Sequence, residues 1–105
     1  MSTTHRDQAL DALLHPFAEG LLRWPQSGNV LFLRAREGAS LHALGVRGVA
    51  ATQPFKPEAE RLQRIGVALV DEAELPAATF PLVLVLPPRQ REEARALLAR
   101  ACAAV

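Results

Sequence analysis

The chain has 105 residues, half of them apolar, and a formal net charge of +1. This length fits one small domain, and the apolar fraction is high enough for a buried core, which excludes an intrinsically disordered chain. The nearly neutral charge gives no bulk field that would attract nucleic acid, and no apolar run approaches the roughly 20 residues needed to cross a bilayer. The polar N-terminus and the single cysteine, Cys102, predict a cytoplasmic protein without a signal peptide or an internal disulfide.

The first predicted element is a helix near the N-terminus. Thr4 and Asp7 have the spacing of a capping box, with Asp in place of the usual Glu or Gln. Pro16 disfavours helical geometry at His15, so we expect this helix to end near Leu14. Its apolar face consists of Leu10, Leu13, Leu14 and Phe17.

Four strands are predicted after this helix, at residues 29–33, 49–52, 67–70 and 82–86. The first of them lacks polar alternation, as expected for a strand that is covered on both faces. A polar loop is predicted between the third and fourth strands, over residues 71–79. We interpret its acids, Asp71, Glu72 and Glu74, as solvated charge that favours solubility rather than as a cation site.

Helices are predicted between and after these strands. A weak helical turn is expected near Leu41, and Pro57 and Gly66 bracket a helix over residues 58–65. The alternation of strands and helices predicts an α/β domain with a parallel sheet. The apolar face of the last helix is formed by Ala94, Leu97, Leu98, Ala101, Cys102 and Val105.

The sequence contains no catalytic constellation. A nucleotide-binding turn after the first strand would need glycines for close approach of the backbone to its ligand, but residues 34–40 contain only Gly38. Gln53 and Pro54 stand where a ribose-binding acid would follow the second strand. The three histidines and Cys102 lack the spacing of metal ligands. Because Cys102 lies on the predicted apolar face of the last helix, we expect a buried, inert thiol.

Three segments, GNVLFLRAREG, VAATQPFKPEAERLQRIGVALV and FPLVLVLPPRQREEARALLARA, carry a family resemblance. In this order they resemble the N-terminal domain of the small-subunit ribosomal RNA guanine-N2 methyltransferases, from about Asp7 onward. That family combines two class I methyltransferase-like domains, of which only the C-terminal one binds S-adenosylmethionine and reacts. The resemblance implies a three-layer, Rossmann-like partial domain with about four mostly parallel strands in the order 3-2-1-4. It also implies a catalytic partner domain that holds the cofactor, with no cofactor in this chain.

The most specific part of the resemblance is the end of the fourth strand. An active domain of the family has an Asn-Pro-Pro-aromatic motif there, in which the Asn side chain and a backbone carbonyl hold the amine that is methylated. The corresponding residues here are Leu86, Pro87, Pro88 and Arg89. The prolines remain, whereas the amide and the aromatic ring are absent. An active domain also has seven strands, and this chain runs out after the helix that follows the fourth.

Three functional hypotheses follow. The leading one is that residues 1–105 form a single non-catalytic domain, either complete or part of a longer two-domain methyltransferase, that supports the catalytic half or positions RNA. The main alternative is an unrelated small α/β protein-interaction module. The third is an active methyltransferase with an atypical cofactor loop. Titration with S-adenosylmethionine separates the third from the others.

Basic residues follow the carboxyl ends of three predicted strands. With the order 3-2-1-4 they would gather at one edge of the sheet, where phosphate contacts position RNA without reading its sequence. The competing interpretation is ordinary solvated charge. The predicted anion site consists of Arg34, Arg36, Lys56, Arg89 and Arg91.

The same order makes the segment from Leu82 to Leu86 an edge strand with apolar side chains on both faces. Such an edge leaves backbone groups unpaired and invites another strand. A homodimer through this edge is therefore predicted. The competing prediction is a monomer whose edge is shielded by the last helix or by the loop at Thr79.

Overall fold

The structure is a computed structural model that describes residues 7–25, 30–75 and 80–105. The elements alternate along the chain as expected for the α/β class. They are α1 (Gln8–Ala18), β1 (Val30–Leu33), α2 (Ala39–Leu44), β2 (Val49–Thr52), α3 (Lys56–Arg64), β3 (Ala68–Leu69), a 3-10 turn (Glu72–Glu74), β4 (Leu82–Val85) and α4 (Arg91–Ala104).

The sheet has four strands in the order β3-β2-β1-β4, and every neighbouring pair is parallel. In the central strand, Val30 lies beside Val49 on one side and beside Leu82 on the other. This arrangement confirms the predicted fold class and strand order. The carboxyl ends of β1, β2 and β4 consequently lie at one edge of the sheet.

Helices cover both faces of the sheet, which gives three layers. On one face α1, α2 and α3 pack against Phe32 of β1 through Leu10, Leu41 and Leu62. On the other face α4 packs against Leu31 and Leu33. Because both faces of β1 are covered, all four of its apolar residues are buried. The absence of polar alternation in its sequence is thereby explained.

The first helix differs from the prediction at both ends. Asp7 is its N-cap and accepts a hydrogen bond from Leu10 N at 3.1 Å, whereas Thr4, the predicted cap, lies outside the described residues. The helix continues beyond Leu14 to Ala18 with Pro16 inside it. Proline costs the helix one hydrogen bond, but burial of Leu14 and the packing of the last turn outweigh this cost. In that turn the ring of Phe17 meets Trp24 edge-on, with centroids 5.4 Å apart.

The last helix is rotated relative to the predicted apolar face. Leu97, Ala101 and Ala104 are buried, whereas Leu98, Cys102 and Val105 are exposed. The prediction of a buried thiol is therefore wrong. Apolar residues form two adjacent lines along α4, and only one of them can face the sheet. A polar contact on the side of α4 away from Leu98 determines which line faces the sheet, since Arg100 Nη1 donates to the carbonyl of Glu72.

The remaining differences between the predicted and the observed elements concern only a few residues. β3 contains only Ala68–Leu69, and the predicted polar loop contains the 3-10 turn. Residues 76–79 of that loop, including Thr79, lie outside the described residues. Among the helices of the described residues, none is long and apolar enough to cross a membrane.

Candidate functional site

The candidate site lies at the carboxyl edge of the sheet, where β1 stands between β2 and β4. In open α/β sheets, ligands bind outside this edge at the point where the strand order reverses. Arg34 follows β1 at this point and has a positive φ of 59°, which is uncommon outside glycine. The turn is held by the end of β2, since Arg34 N donates to Thr52 Oγ1 at 3.0 Å and Ala35 N donates to Thr52 O at 3.1 Å.

The guanidinium of Arg34 is bound by two carboxylates from distant parts of the chain. Its Nε lies 2.7 Å from Glu72 Oε2 and its Nη2 lies 3.3 Å from Glu72 Oε1, which gives a two-pronged contact. Its Nη1 donates to Glu93 at 3.1 Å. The hydroxyl of Thr52 donates to Glu72 Oε2 at 2.9 Å. We call these four residues the edge network. It connects the ends of β1 and β2 and the 3-10 turn after β3 to the first turn of α4.

Charge pairing in the edge network changes the pKa of both partners. Burial raises the pKa of Glu72, but hydrogen bonds from Arg34 and Thr52 and the nearby positive charges outweigh burial, so the pKa lies below its ordinary value. Hydrogen bonding to Glu72, followed by the charges of Glu72 and Glu93, raises the pKa of Arg34 despite burial. Both groups are consequently charged in the folded protein at neutral pH.

Arg36 is likewise held by the chain itself. Its Nε and Nη2 lie 2.6 Å and 2.8 Å from the two carboxylate oxygens of Asp7, the residue that caps α1. Burial raises the pKa of Asp7, but the hydrogen bonds from Arg36 and Leu10 and the charge of Arg36 bring it below its ordinary value. Arg36 thus fastens the loop after β1 to the start of the first helix.

The other three predicted anion-binding residues have open side chains. Lys56 opens α3, Arg89 lies in the loop after β4, and Arg91 opens α4. All three are exposed, and the described part of the chain provides none of them with an acidic partner. The topology therefore places all five predicted residues after strands that end at one edge, but Arg34 and Arg36 already bind carboxylates.

The loop after β1 is shaped by its own packing contacts. Gly38 has an extended backbone, with φ of −179°, and a Cβ at this position would stand 2.7 Å from Cδ2 of the buried Leu10. The absence of a side chain at Gly38 therefore makes room for α1. One backbone donor of the loop, Glu37 N, binds the carboxylate of Glu58 at 2.9 Å. Glu37 N, like Arg34 N and Ala35 N at the start of the loop, therefore donates to an acceptor within the chain.

The segment from Leu86 to Arg89, which was compared with the Asn-Pro-Pro-aromatic motif, begins in the buried core. Leu86 is 7% exposed and belongs to the core beneath α1, α2 and α3, and its N–H donates to Leu33 O at 3.3 Å. Pro87 and Arg89 are exposed, and Pro88 is partly buried. A buried leucine side chain has no polar atom with which to hold an amine.

A cavity of about 240 Å³ opens beside the edge network. The amide of Gln53 is already used, since it donates to Ala35 O at 2.7 Å and accepts from Phe55 N at 2.9 Å. No group of three metal-ligating side chains occurs in residues 7–25, 30–75 and 80–105. The cavity is lined by Thr52, Gln53, Pro54, Val70, Asp71 and Glu72.

Glu72 is the residue of the candidate site that the sequence prediction missed. Its loop reads as polar and acidic, which is typical of solvated charge, yet its side chain is only 20% exposed and has Arg34 and Thr52 as partners. A signal was present in the sequence: an acid that follows one parallel strand and an arginine that follows another meet at the same edge of a sheet.

Comparisons with protein-family models, curated proteins and solved structures found no match to this chain.

Proposed function

We propose that this chain is the non-catalytic, methyltransferase-like domain of an S-adenosylmethionine-dependent ribosomal RNA (guanine-N2) methyltransferase. In this role it supports the catalytic domain or positions RNA. The observation that carries the non-catalytic part is the edge network, because ion pairs within the chain stand at the sheet edge where this fold class binds its ligands.

Two further features support the absence of cofactor binding. The backbone donors Arg34 N, Ala35 N and Glu37 N, which in a nucleotide-binding loop would be directed at the ligand, bind Thr52 and Glu58 instead. The glycine of this loop, Gly38, makes room for α1. A cofactor would have to displace an ion network and several backbone hydrogen bonds before it could bind.

The proposed contact with RNA depends on the exposed cations. Lys56, Arg89 and Arg91 have no acidic partner among the described residues and follow strands that end at the same edge. Arginine and lysine at such positions bind phosphate without reading base sequence. The methyltransferase assignment itself depends on the family resemblance of the strand, the two prolines and the helix from Phe80 onward.

Two measurements test the proposal. Titration calorimetry of the isolated chain with S-adenosylmethionine should give no binding at micromolar concentrations, and measurable binding would contradict the non-catalytic role. An antibody raised against the chain should precipitate, from the source cells, an activity that transfers methyl groups from labelled S-adenosylmethionine to small-subunit ribosomal RNA. A precipitate that contains the chain and lacks this activity would contradict the methyltransferase assignment.

A second candidate function is a protein-interaction module without any connection to methyl transfer. It is favoured by the edge of β4 that no described strand covers, beside which Leu98 of α4 and Val105, its C-cap, are 50% and 59% exposed. The precipitated activity distinguishes the two candidates, because an interaction module would bring no methyl transfer to ribosomal RNA.

A further inference from the structure

The backbone groups on the outer side of β4 have no partner among the residues that the structure describes. β4 pairs with β1 on one side, and no strand among residues 7–25, 30–75 and 80–105 lies on its other side. Leu86 N donates to Leu33 O, and successive residues of a strand direct their backbone groups to opposite sides. Val83 and Val85 therefore direct their N–H and C=O groups away from the sheet. An edge of this kind pairs readily with another strand.

Prolines limit this edge at both ends. Pro81 precedes β4 and Pro87 follows it, at equal distances from Leu84. Proline has no N–H group, so the outward donors between the two prolines are those of Val83 and Val85. A partner strand can form a continuous ladder only within this short window, which restricts the register in which it can pair.

An apolar stripe on α4 lies beside the same edge. It consists of Leu98, Cys102 and Val105, which are exposed. Glu93 and Arg100 on the opposite flank of the helix contact Arg34 and the 3-10 turn after β3, respectively. This rotation directs the stripe away from β3 and toward the open side of β4. The hydrogen bond from Phe80 N to Ala104 O, 3.0 Å long, shows that the end of α4 lies at the start of β4.

We propose that a second copy of this chain binds here, with its β4 antiparallel to the first around a two-fold axis near Leu84. In this register Val83 of each copy faces Val85 of the other, and each uses its outward N–H and C=O groups. Pro81 of each copy faces Pro87 of the other, so the residues without a donor lie opposite one another. The sheet becomes continuous through both copies, and neither copy has an open edge at β4.

Charge complementarity along α4 favours a second copy over an unrelated strand. Arg91 and Arg95 continue the line of Leu98 toward the start of the helix, and no acidic partner is described for either. The last turn of a helix carries partial negative charge on its unpaired carbonyls. The two-fold axis places the arginines of each copy opposite the last turn of the other helix. The apolar centre of the stripe then meets itself at Leu98.

Light scattering with size-exclusion chromatography tests the assembly. The chain should elute at high micromolar concentration with twice its mass of 11.4 kDa. Leu98→Glu should give a monomer, because the charge falls at the centre of the contact. The matched control is Ala96→Glu, which adds the same charge to an exposed position on the opposite flank of α4 and should remain a dimer. A monomeric wild type, or equal dissociation of both variants, would overturn the proposal.

A crosslinking experiment tests the register without relying on a destabilised variant. In a Cys102→Ser background, Leu98→Cys should be linked into covalent dimers by a short bismaleimide, whereas Ala96→Cys should not. Far-ultraviolet circular dichroism confirms that each variant is folded. Equal crosslinking at both positions, or none at Leu98→Cys, contradicts the two-fold arrangement. If this edge instead binds a strand of a different protein, the purified chain would give no crosslink at Leu98→Cys, which likewise contradicts the two-fold arrangement. The dimerisation measurements and the methyl-transfer assay test independent proposals, so a negative result in one leaves the other proposal unchanged.

Discussion

Glu72 joins parts of the chain that are far apart in sequence. Its carboxylate accepts hydrogen bonds from Arg34 and Thr52, and its carbonyl accepts one from Arg100. A partly buried carboxylate with an arginine and a hydroxyl as partners is compensated for its loss of water. Removing the charge of Glu72 would leave the guanidinium of Arg34 with only Glu93, so the residue should matter for stability and for the shape of the edge.

Acidification should destabilise the protein through this residue. The folded pKa of Glu72 lies below its ordinary value of 4.5, and that of Asp7 lies below 3.8. The stability that each contributes is fully present above the ordinary value and is lost as pH falls through the folded pKa. The free energy of unfolding measured by urea titration should therefore be constant near neutral pH and decrease below about pH 4.5.

Glu72→Gln tests this assignment. At neutral pH the variant should lose about 1–2 kcal/mol of unfolding free energy, as expected for a hydrogen-bonded charge, and its stability should depend less on pH below 4.5. Glu74→Gln in the same turn is the control, since that exposed side chain has no partner among the described residues. An unchanged pH profile in Glu72→Gln would show that the edge network does not stabilise the fold.

Residue positions were predictable from the sequence to a greater extent than residue partners. The cations that follow β1, β2 and β4 were predicted to share one edge, and the topology places them there. The pairing of Arg34 with Glu93 was not predicted, because the two residues are 59 apart in the chain and nothing in either sequence neighbourhood indicates the other. Pairing depends on side-chain reach across the assembled edge, which periodicity does not describe.

At the scale of the elements, α1 contains an unfavourable residue. Pro16 has no N–H to donate within the helix, yet the helix continues to Ala18. Pro57 occupies the first turn of α3, where the missing donor would be unpaired in any case. The same residue type is thus costly in one helix and favourable in the other.

Pro16→Ala should consequently stabilise the protein. The regained helical hydrogen bond outweighs the greater freedom of the unfolded chain, and we expect a gain of about 1–2 kcal/mol in unfolding free energy. Pro57→Ala should be neutral or destabilising. Thermal unfolding followed by circular dichroism measures both, and a lower melting temperature in Pro16→Ala would indicate that the proline ring itself packs favourably.

Element types were predictable where pattern and length agreed. β2 was predicted with its observed bounds, Val49–Thr52, and the last helix was predicted from its spacing. The buried line of α4 was only partly predicted, because two adjacent lines are apolar and the rotation depends on Arg100 at a distant carbonyl. The extension of α1 past Leu14 was missed because tertiary packing overrode a local backbone preference.

At the scale of the whole molecule, the three-layer fold followed from the alternation of strands and helices. The strand order came from the family resemblance, and the structure has the same order. The exposed cations give this fold one edge with positive charge available for binding. Arg34 is unsuitable for testing that edge, because reversing its charge would place three carboxylates together in the edge network.

RNA binding should therefore be tested at Arg89. If the edge positions RNA, Arg89→Glu should weaken binding to a small-subunit ribosomal RNA fragment. The slope of log K against log salt should become shallower by about 1, which is the contribution of one phosphate contact. Arg64→Glu makes the same charge change at the far end of α3, on the opposite edge of the sheet, and should leave both quantities unchanged. Identical behaviour of the two variants would indicate general charge attraction without an RNA site.

The central position of β1 has a consequence for biosynthesis. Among the described strands β1 leaves the ribosome first, but it gains β4 as a neighbour and α4 as a cover only when these later elements have been made. Parallel pairs between distant segments form slowly, because a long loop must close before contacts compensate for its entropy. A nascent chain that is stalled before β4 would thus present Val30–Leu33 with one side of its backbone unpaired and one face bare. We expect such a chain to be a ligand for chaperones.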